Sequence, residues 1–153
     1  MENIEIAKAF EGVADLLELQ GANAFRVRAY RNAARTIGAL GTSVEAMVRH
    51  DGHALQELPG IGADLAGKII RLCRTGKLPL LEQLSRRTPA SLTALLKIPG
   101  VGPKRARLIH TTLGVRNLEQ LQRAAAHGRL TTVPGIGPTL ARSILVAIGQ
   151  VRH

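Results

Sequence analysis

The sequence predicts an all-α protein that is built from helical hairpins. Apolar residues recur along most of the chain at spacings of three and four, as on one face of an α-helix. No segment shows the alternation of apolar and polar residues that is typical of a half-buried strand. A short pattern, apolar-Pro-Gly-apolar-Gly, occurs three times, beginning at Leu58, Ile98 and Val133, and apolar helical segments flank each copy.

The second copy of this pattern shows what its residues do. Pro99 cannot continue a helix, and Gly100 and Gly102 permit backbone angles or close approaches that a side chain would prevent. Pro103 follows at the first position of a new helix, where its missing N–H is not needed. A helix N-terminus has free N–H groups and a partial positive charge, so it can bind a phosphate. We interpret residues 95–109 as a helix-hairpin-helix unit that binds the phosphate backbone of a nucleic acid.

The same design is present in two further segments of the chain. We call residues 55–69, 95–109 and 130–144 hairpin 1, hairpin 2 and hairpin 3. In each hairpin an alanine follows the second glycine by four residues, and a small residue there lets two helices pack closely. The alternative interpretation is a stack of helical hairpins with glycine turns that bind no ligand.

The charge of the chain favours a polyanionic partner. The formal net charge is +10 at pH 7 and the sequence pI is about 11.2, which is typical of proteins that bind nucleic acid or an anionic surface. Residues 1–50 are neutral overall, whereas residues 91–153 contain nine basic residues and a single acidic one, Glu119. The excess charge therefore coincides with hairpins 2 and 3.

Composition excludes several other classes of protein. Cys73 is the single cysteine, so no internal disulfide is expected and the compartment is expected to be reducing. The sequence contains no signal peptide and no apolar run long enough to span a membrane, which predicts a soluble cytoplasmic protein without a membrane partner. Aromatic residues are only 2% of the chain, so stacking of bases on aromatic platforms is not expected.

The residues before hairpin 1 are predicted to form three helices. Asn3 is a favourable N-cap for the first helix, and Gly21 ends it. The second helix is predicted over residues 25–37, and Thr42 and Glu45 are placed as a capping box for a short third helix. Arginines on one face of the second helix either contact phosphates or pair with the acidic first helix: Arg28, Arg31 and Arg35.

The remaining elements predict a second domain. A short apolar helix is followed by the charged segment 86–89, which we take as the domain boundary, so that the predicted domains are 1–86 and 87–153. Asn117 and Gln120 form a capping box for a connector helix between hairpins 2 and 3. A hairpin, a connector helix and a second hairpin predict a pair related by an approximate two-fold axis, which can hold both strands of a duplex.

These motifs together resemble the N-terminal region of family X DNA polymerases, the family of DNA polymerase beta, and most closely its bacterial branch. The sequence FRVRAYRNAA at residues 25–34 is similar to the family's second-helix signature. Residues 58–62 with 75–77 resemble its lyase-domain hairpin, and residues 98–103 resemble its second hairpin. The resemblance implies a helical lyase-like domain with one hairpin, followed by a tandem-hairpin domain. The clustered carboxylates that a polymerase needs for two metal ions are missing, so this chain is not a polymerase by itself.

The resemblance also implies a lyase activity that removes a 5′-deoxyribose phosphate, as in base excision repair. Lys68 matches the family's Schiff-base lysine, Tyr30 matches a tyrosine near that lysine, and Arg26 matches a basic residue that holds the 5′-phosphate. Asp64 stands where the family usually has a second basic residue. It precedes Lys68 by four residues, which favours a helical ion pair that would keep the lysine protonated.

The resulting hypothesis is DNA binding that is independent of base sequence, at gapped, nicked or 5′-phosphate DNA, in DNA repair. Two alternatives are a lyase that uses Lys68, and a module that docks on a partner such as a separate polymerase or nuclease. No cofactor is required, although hairpins of this class can hold a Na⁺ or K⁺ ion at their backbone carbonyls. The expected location is the bacterial cytosol or nucleoid. The residues predicted to contact DNA are Arg26, Gly60, Gly62, Arg71, Gly100, Gly102, Lys104, Arg105, Arg107, Gly135, Gly137, Thr139 and Arg142.

Overall fold

Helices account for the fold of residues 1–151, which are the residues that the computed structural model describes. Within them lie nine α-helices and two short 3-10 helices, and no strand, so the all-α prediction is confirmed. The α-helices α1 to α9 span Asn3–Leu19, Ala24–Ala39, Val44–Asp51, Ala63–Thr75, Pro79–Arg86, Ala90–Leu96, Pro103–Leu113, Leu118–Ala126 and Pro138–Val151. The 3-10 helices span Gly52–Glu57 and Arg129–Thr132. No helix in this part of the chain is long and apolar enough to cross a membrane.

The chain divides into two compact units. Unit 1 comprises residues 1–17 and 21–84, and unit 2 comprises residues 18–20 and the chain from Ser85 onward. This division lies two residues before the boundary that the charged segment predicts. Hairpin 1 belongs to unit 1, and hairpins 2 and 3 belong to unit 2.

Helices α1 and α2 supply many of the buried side chains of unit 1 and contact each other. The rings of Phe10 and Tyr30 meet edge to face, with centroids 5.7 Å apart and an angle of 85° between their planes. At the edge of this interface the Arg31 guanidinium pairs with the carboxylates of Glu11 at 2.8 Å and Asp15 at 3.1 Å. Of the predicted arginine stripe, one member therefore pairs with the acidic first helix, and the other two are exposed.

The start of α3 differs from the prediction, because the N-cap is Ser43 rather than Thr42. The Ser43 hydroxyl accepts a hydrogen bond from the Ala46 N–H at 3.2 Å. The Thr42 carbonyl accepts instead from the Asn3 side chain at 2.8 Å, and the Glu45 carboxylate binds the N-terminal amine. The predicted capping box was therefore wrong, since Ser43 caps the helix and the Glu45 side chain is held by the N-terminal amine.

Unit 2 contains hairpins 2 and 3, and its connector helix α8 packs against α6 and α9. Asn117 caps α8 as predicted, because its side chain accepts from the Gln120 N–H at 2.9 Å while the Gln120 side chain accepts from the Arg116 N–H at 2.8 Å. The apolar segments before the turns of hairpins 1 and 3 are the 3-10 helices rather than α-helices. Only in hairpin 2 does an α-helix, α6, precede the turn.

Candidate nucleic-acid interface

The three hairpin turns share one backbone conformation. The first glycine of each turn has a positive φ, 78° for Gly60, 87° for Gly100 and 85° for Gly135, which L-residues rarely adopt. A proline precedes each of these glycines, as in a type II turn. One backbone hydrogen bond closes each turn: Ile61 N–H to the Leu58 carbonyl at 3.1 Å, Val101 to Ile98 at 3.0 Å and Ile136 to Val133 at 3.1 Å.

The second glycine of each turn has a different role. Gly62 and Gly102 have φ values of −90° and −84°, which any residue can adopt. A Cβ atom built on Gly62, Gly102 or Gly137 would meet no atom of the chain within 4 Å. Neither backbone strain nor internal packing therefore requires a glycine here. What its lack of a side chain provides is open space for a group from outside the chain.

That open space lies at the N-terminus of a helix in every hairpin. The carbonyl of the second glycine accepts the first backbone hydrogen bond of α4, α7 and α9, at 2.9, 2.9 and 3.0 Å. The N–H groups before that bond have no partner inside the helix. No side chain caps Gly62 or Gly102, so these helix starts are available to bind an anion.

Positive charge is concentrated at hairpin 2. Lys104, Arg105 and Arg107 are exposed in the first turns of α7, as predicted for residues that contact DNA. The Arg105 guanidinium also donates a hydrogen bond to the Gly100 carbonyl at 2.8 Å, so this side chain folds back onto the turn. At the same place in hairpins 1 and 3, three residues after the second glycine, stand Leu65 and Leu140.

The start of α9 in hairpin 3 is less basic. Thr139 and Arg142 are exposed there, as the prediction requires for contact with DNA. The Ser143 hydroxyl donates to the Thr139 carbonyl at 3.2 Å. With one arginine in its first turns, hairpin 3 offers a phosphate less charge than hairpin 2 does.

A concavity of about 550 Å³ lies beside hairpin 1 in unit 1. It brings together three of the predicted site residues, Arg26, Lys68 and Arg71, on an apolar wall. The Lys68 ammonium is 2.8 Å from each carboxylate oxygen of Asp64, which forms the ion pair that the spacing predicts. The residues around it are Arg26, Ala63, Asp64, Gly67, Lys68, Arg71, Leu78, Pro79, Leu80 and Gln83.

Comparison with known families matches both parts of this architecture. Residues 1–78 match the family described as helix-hairpin-helix domain, which is half of the chain. The chain belongs to the helix-hairpin-helix family. Residues 92–150 match a second model of this kind, the SAM-like helix-hairpin-helix tandem, as expected for a domain with two hairpins.

A curated relative extends this assignment. The chain is 31% identical over 150 residues to DNA polymerase/3′-5′ exonuclease PolX of Bacillus subtilis (strain 168), an alignment that covers 98% of this chain. The chain spans about a quarter of the length of that relative. The resemblance to family X DNA polymerases is confirmed, and the helix-hairpin-helix domains indicate DNA binding.

Two aromatic residues of α2, Tyr30 and Phe25, differ in their exposure. Tyr30 is only 3% exposed, packs against Phe10 and does not line the concavity, so the structure does not bring it together with Lys68. Phe25 is 75% exposed, next to Arg26, and the Arg28 guanidinium lies 4.7 Å from its ring centroid.

Proposed function

We propose that this chain binds duplex DNA at gaps, nicks or 5′-phosphate ends, through the phosphate backbone and without reading the base sequence. The observation that carries the proposal is the set of second glycines, which leave a helix N-terminus open to an outside group in all three hairpins. Backbone N–H groups at such a site bind phosphates, and phosphate contacts fix position without specifying sequence.

The preference for a 5′-phosphate rests on the concavity of hairpin 1. Arg26, Lys68 and Arg71 surround one space beside the open start of α4, and a single acidic side chain, Asp64, lies among them. A terminal phosphate carries more negative charge than a phosphodiester, so a cluster of cations favours the end of a strand over its interior. DNA repair is the setting in which such ends arise, and we place the protein there.

The test is a binding titration with three duplexes: intact, gapped with a 5′-phosphate, and gapped with a 5′-hydroxyl. If each hairpin neutralises at least one phosphate, a plot of log affinity against log salt concentration has a slope of about −3 or steeper. Arg71→Ala lowers affinity for the phosphorylated gap, whereas Arg74→Ala, on the same helix but outside the concavity, serves as the control. A slope near zero contradicts DNA-backbone binding, and equal affinity for the two gapped duplexes contradicts the 5′-phosphate preference.

Lys68 supports a second candidate function, a 5′-deoxyribose-phosphate lyase, because it lies in that same concavity. Its amine would attack the C1′ aldehyde and lose water to form a Schiff base. Loss of a C2′ proton to solvent and cleavage of the C3′–O bond would then release the DNA 5′-phosphate, and hydrolysis of the Schiff base would free the lysine. The amine must be neutral to attack, whereas in the structure the Lys68 ammonium forms an ion pair with the Asp64 carboxylate.

Borohydride trapping tests this second function, because it reduces the Schiff base to a stable amine. We expect an adduct with nicked DNA that carries a 5′-deoxyribose phosphate, and none with Lys68→Ala. Lys77→Ala, a change to an exposed lysine just after α4, is the control. If wild type gives no adduct while still binding the same DNA, the lyase hypothesis is wrong and DNA binding stands.

We also propose a Na⁺ or K⁺ ion at the turn carbonyls, because hairpins of this class can hold one there. The hairpins differ in what those carbonyls already bind: the Gly100 carbonyl accepts from Arg105, and the Pro59 carbonyl accepts from the Thr36 hydroxyl at 3.0 Å. DNA titrations in Na⁺, K⁺ and tetramethylammonium salts at one ionic strength test for this ion. Equal affinities in all three salts would argue against it.

A further inference from the structure

A second cationic concavity lies in unit 2, and the DNA-binding proposal does not use it. Its volume is about 330 Å³, and it is bordered by the C-terminal end of α7, by α8 and by the 3-10 helix that follows. Three exposed basic side chains line it, Arg123, His127 and Arg129, and its lining includes no acidic side chain. None of the three forms an ion pair or a side-chain hydrogen bond within residues 1–151.

The concavity lies far from the phosphate site at the start of α7. Helix α7 presents its free N–H groups at Lys104 and Arg105, whereas the concavity is at its other end, beside Leu113. Eleven residues at 1.5 Å each make α7 about 16 Å long. A phosphate bound at the start of α7 therefore lies too far away to contact Arg123 or Arg129.

We propose that the concavity lined by Arg123, His127 and Arg129 binds the phosphate backbone of a second nucleic-acid segment while the hairpins hold the first. This inference rests on the proposed DNA binding by the hairpins. Each guanidinium group can bind phosphate oxygens through two parallel N–H donors, and an imidazole N–H adds a further donor. An acidic segment of a protein is the less favoured ligand, because Leu113 and Val115 are only 8% and 3% exposed and offer little apolar surface to a peptide.

The experiment uses the full chain and a bridging assay. A biotinylated duplex on beads is incubated with protein and a fluorescent duplex, and the retained fluorescence measures protein molecules that hold two duplexes. The test variant is Arg123→Ala/Arg129→Ala. The control is Arg116→Ala, which changes an exposed arginine just before α8 that does not line the concavity. Affinity for one duplex, thermal stability and sedimentation of the protein alone are measured on the same samples.

We expect wild type and Arg116→Ala to bridge two duplexes. The double variant should give a bridging signal at least about tenfold lower, because two charge-assisted contacts are removed. Affinity of the double variant for a single duplex is expected to stay within about twofold of wild type, and its melting temperature is expected not to fall. A lower melting temperature would mean that these cations only offset the negative C-terminal end of α7, which overturns the proposal.

Three further outcomes also overturn it. They are bridging that persists in the double variant, bridging that tracks self-association in sedimentation, and retention of an acidic peptide but not of DNA. If wild type binds one duplex but does not bridge, the second site is wrong and the proposed function stands. If wild type binds no duplex at all, the proposed function itself has failed.

Discussion

The two glycines of the hairpin 2 turn provide the sharpest test of the DNA-binding surface, because the structure assigns them separate roles. Gly100 has a φ of 87°, and a Cβ there would lie 3.6 Å from Leu140, an ordinary contact, so Gly100→Ala is penalised by its backbone conformation alone. That penalty is about 1–2 kcal/mol. For a chain of this size it corresponds to a fall of roughly 2–8 °C in the melting temperature.

Gly102→Ala is expected to behave in the opposite way. Its φ of −84° suits alanine, and reduced freedom of the unfolded chain stabilises by about 0.4–1 kcal/mol. Alanine is a poorer N-cap than glycine by a few tenths of a kcal/mol or more, so the two effects nearly cancel. The new methyl group, however, occupies the space at the helix start. If it displaces a phosphate from a single charge-assisted hydrogen bond, roughly 1.5–3 kcal/mol of binding is lost, which is about ten- to a hundredfold in affinity.

The assay combines thermal unfolding with fluorescence anisotropy on a gapped duplex at fixed salt. Gly149→Ala is the matched control, since this glycine lies inside α9 with open space around it and far along the helix from the turn. That variant should gain about 0.5–1 kcal/mol of stability and keep its affinity. The reasoning is refuted if Gly102→Ala binds DNA as tightly as wild type, or if it is destabilised as much as Gly100→Ala.

Three further predictions concern charged and reactive side chains. Arg105→Leu introduces the residue found at the same place in hairpins 1 and 3, and it should weaken DNA binding because the guanidinium braces the Gly100 carbonyl. Lys104→Ala should reduce the slope of log affinity against log salt by about 0.9, and Arg105→Leu should change that slope less. Equal changes in slope would show that both side chains act only as phosphate contacts. Asp64→Asn removes the negative charge beside Lys68, so it should raise affinity for a gap with a 5′-phosphate several-fold in anisotropy titrations. An unchanged or lower affinity would contradict the placement of the phosphate in the concavity beside hairpin 1. Burial raises the pKa of the Cys73 thiol, so a disulfide reagent at neutral pH should modify it more slowly in the folded chain than in urea, and equal rates would contradict its burial.

Much of the fold could be predicted from the sequence because the hairpin turn is a strong local signal. Proline and glycine at fixed offsets specify the turn almost independently of tertiary contacts, and all three turns have the expected form. The cap of α3 was predicted wrongly for the opposite reason. Asn3 lies about forty residues away in sequence and takes up the Thr42 carbonyl, and a contact across that distance leaves no local pattern.

The candidate site was predictable in its backbone and less so in its side chains. The i and i+4 spacing of Asp64 and Lys68 predicted their ion pair, because both lie on one turn of a single helix. No such rule predicts that Arg105 folds back onto the Gly100 carbonyl, since a flexible side chain chooses among several partners within reach. The concavity lined by Arg123, His127 and Arg129 was also not predicted, because Arg123 and Arg129 belong to different elements and only the fold brings them together.

The repetition of one backbone with three sets of side chains indicates that the hairpins divide their work. All three present an open helix start, so all can hold a phosphate in the same geometry. Hairpin 2 adds the most charge and should therefore supply most of the salt-dependent affinity. Hairpin 3 has a threonine and one arginine, so it should help to position the DNA more than it adds to affinity. Hairpin 1 differs in kind, since Asp64 holds Lys68 within a concavity, and a chain that needed only charge there would gain nothing from the carboxylate. The Asp64 carboxylate lowers the net positive charge of the concavity, so its effect is to fix the position of the Lys68 ammonium rather than to add affinity for a phosphate.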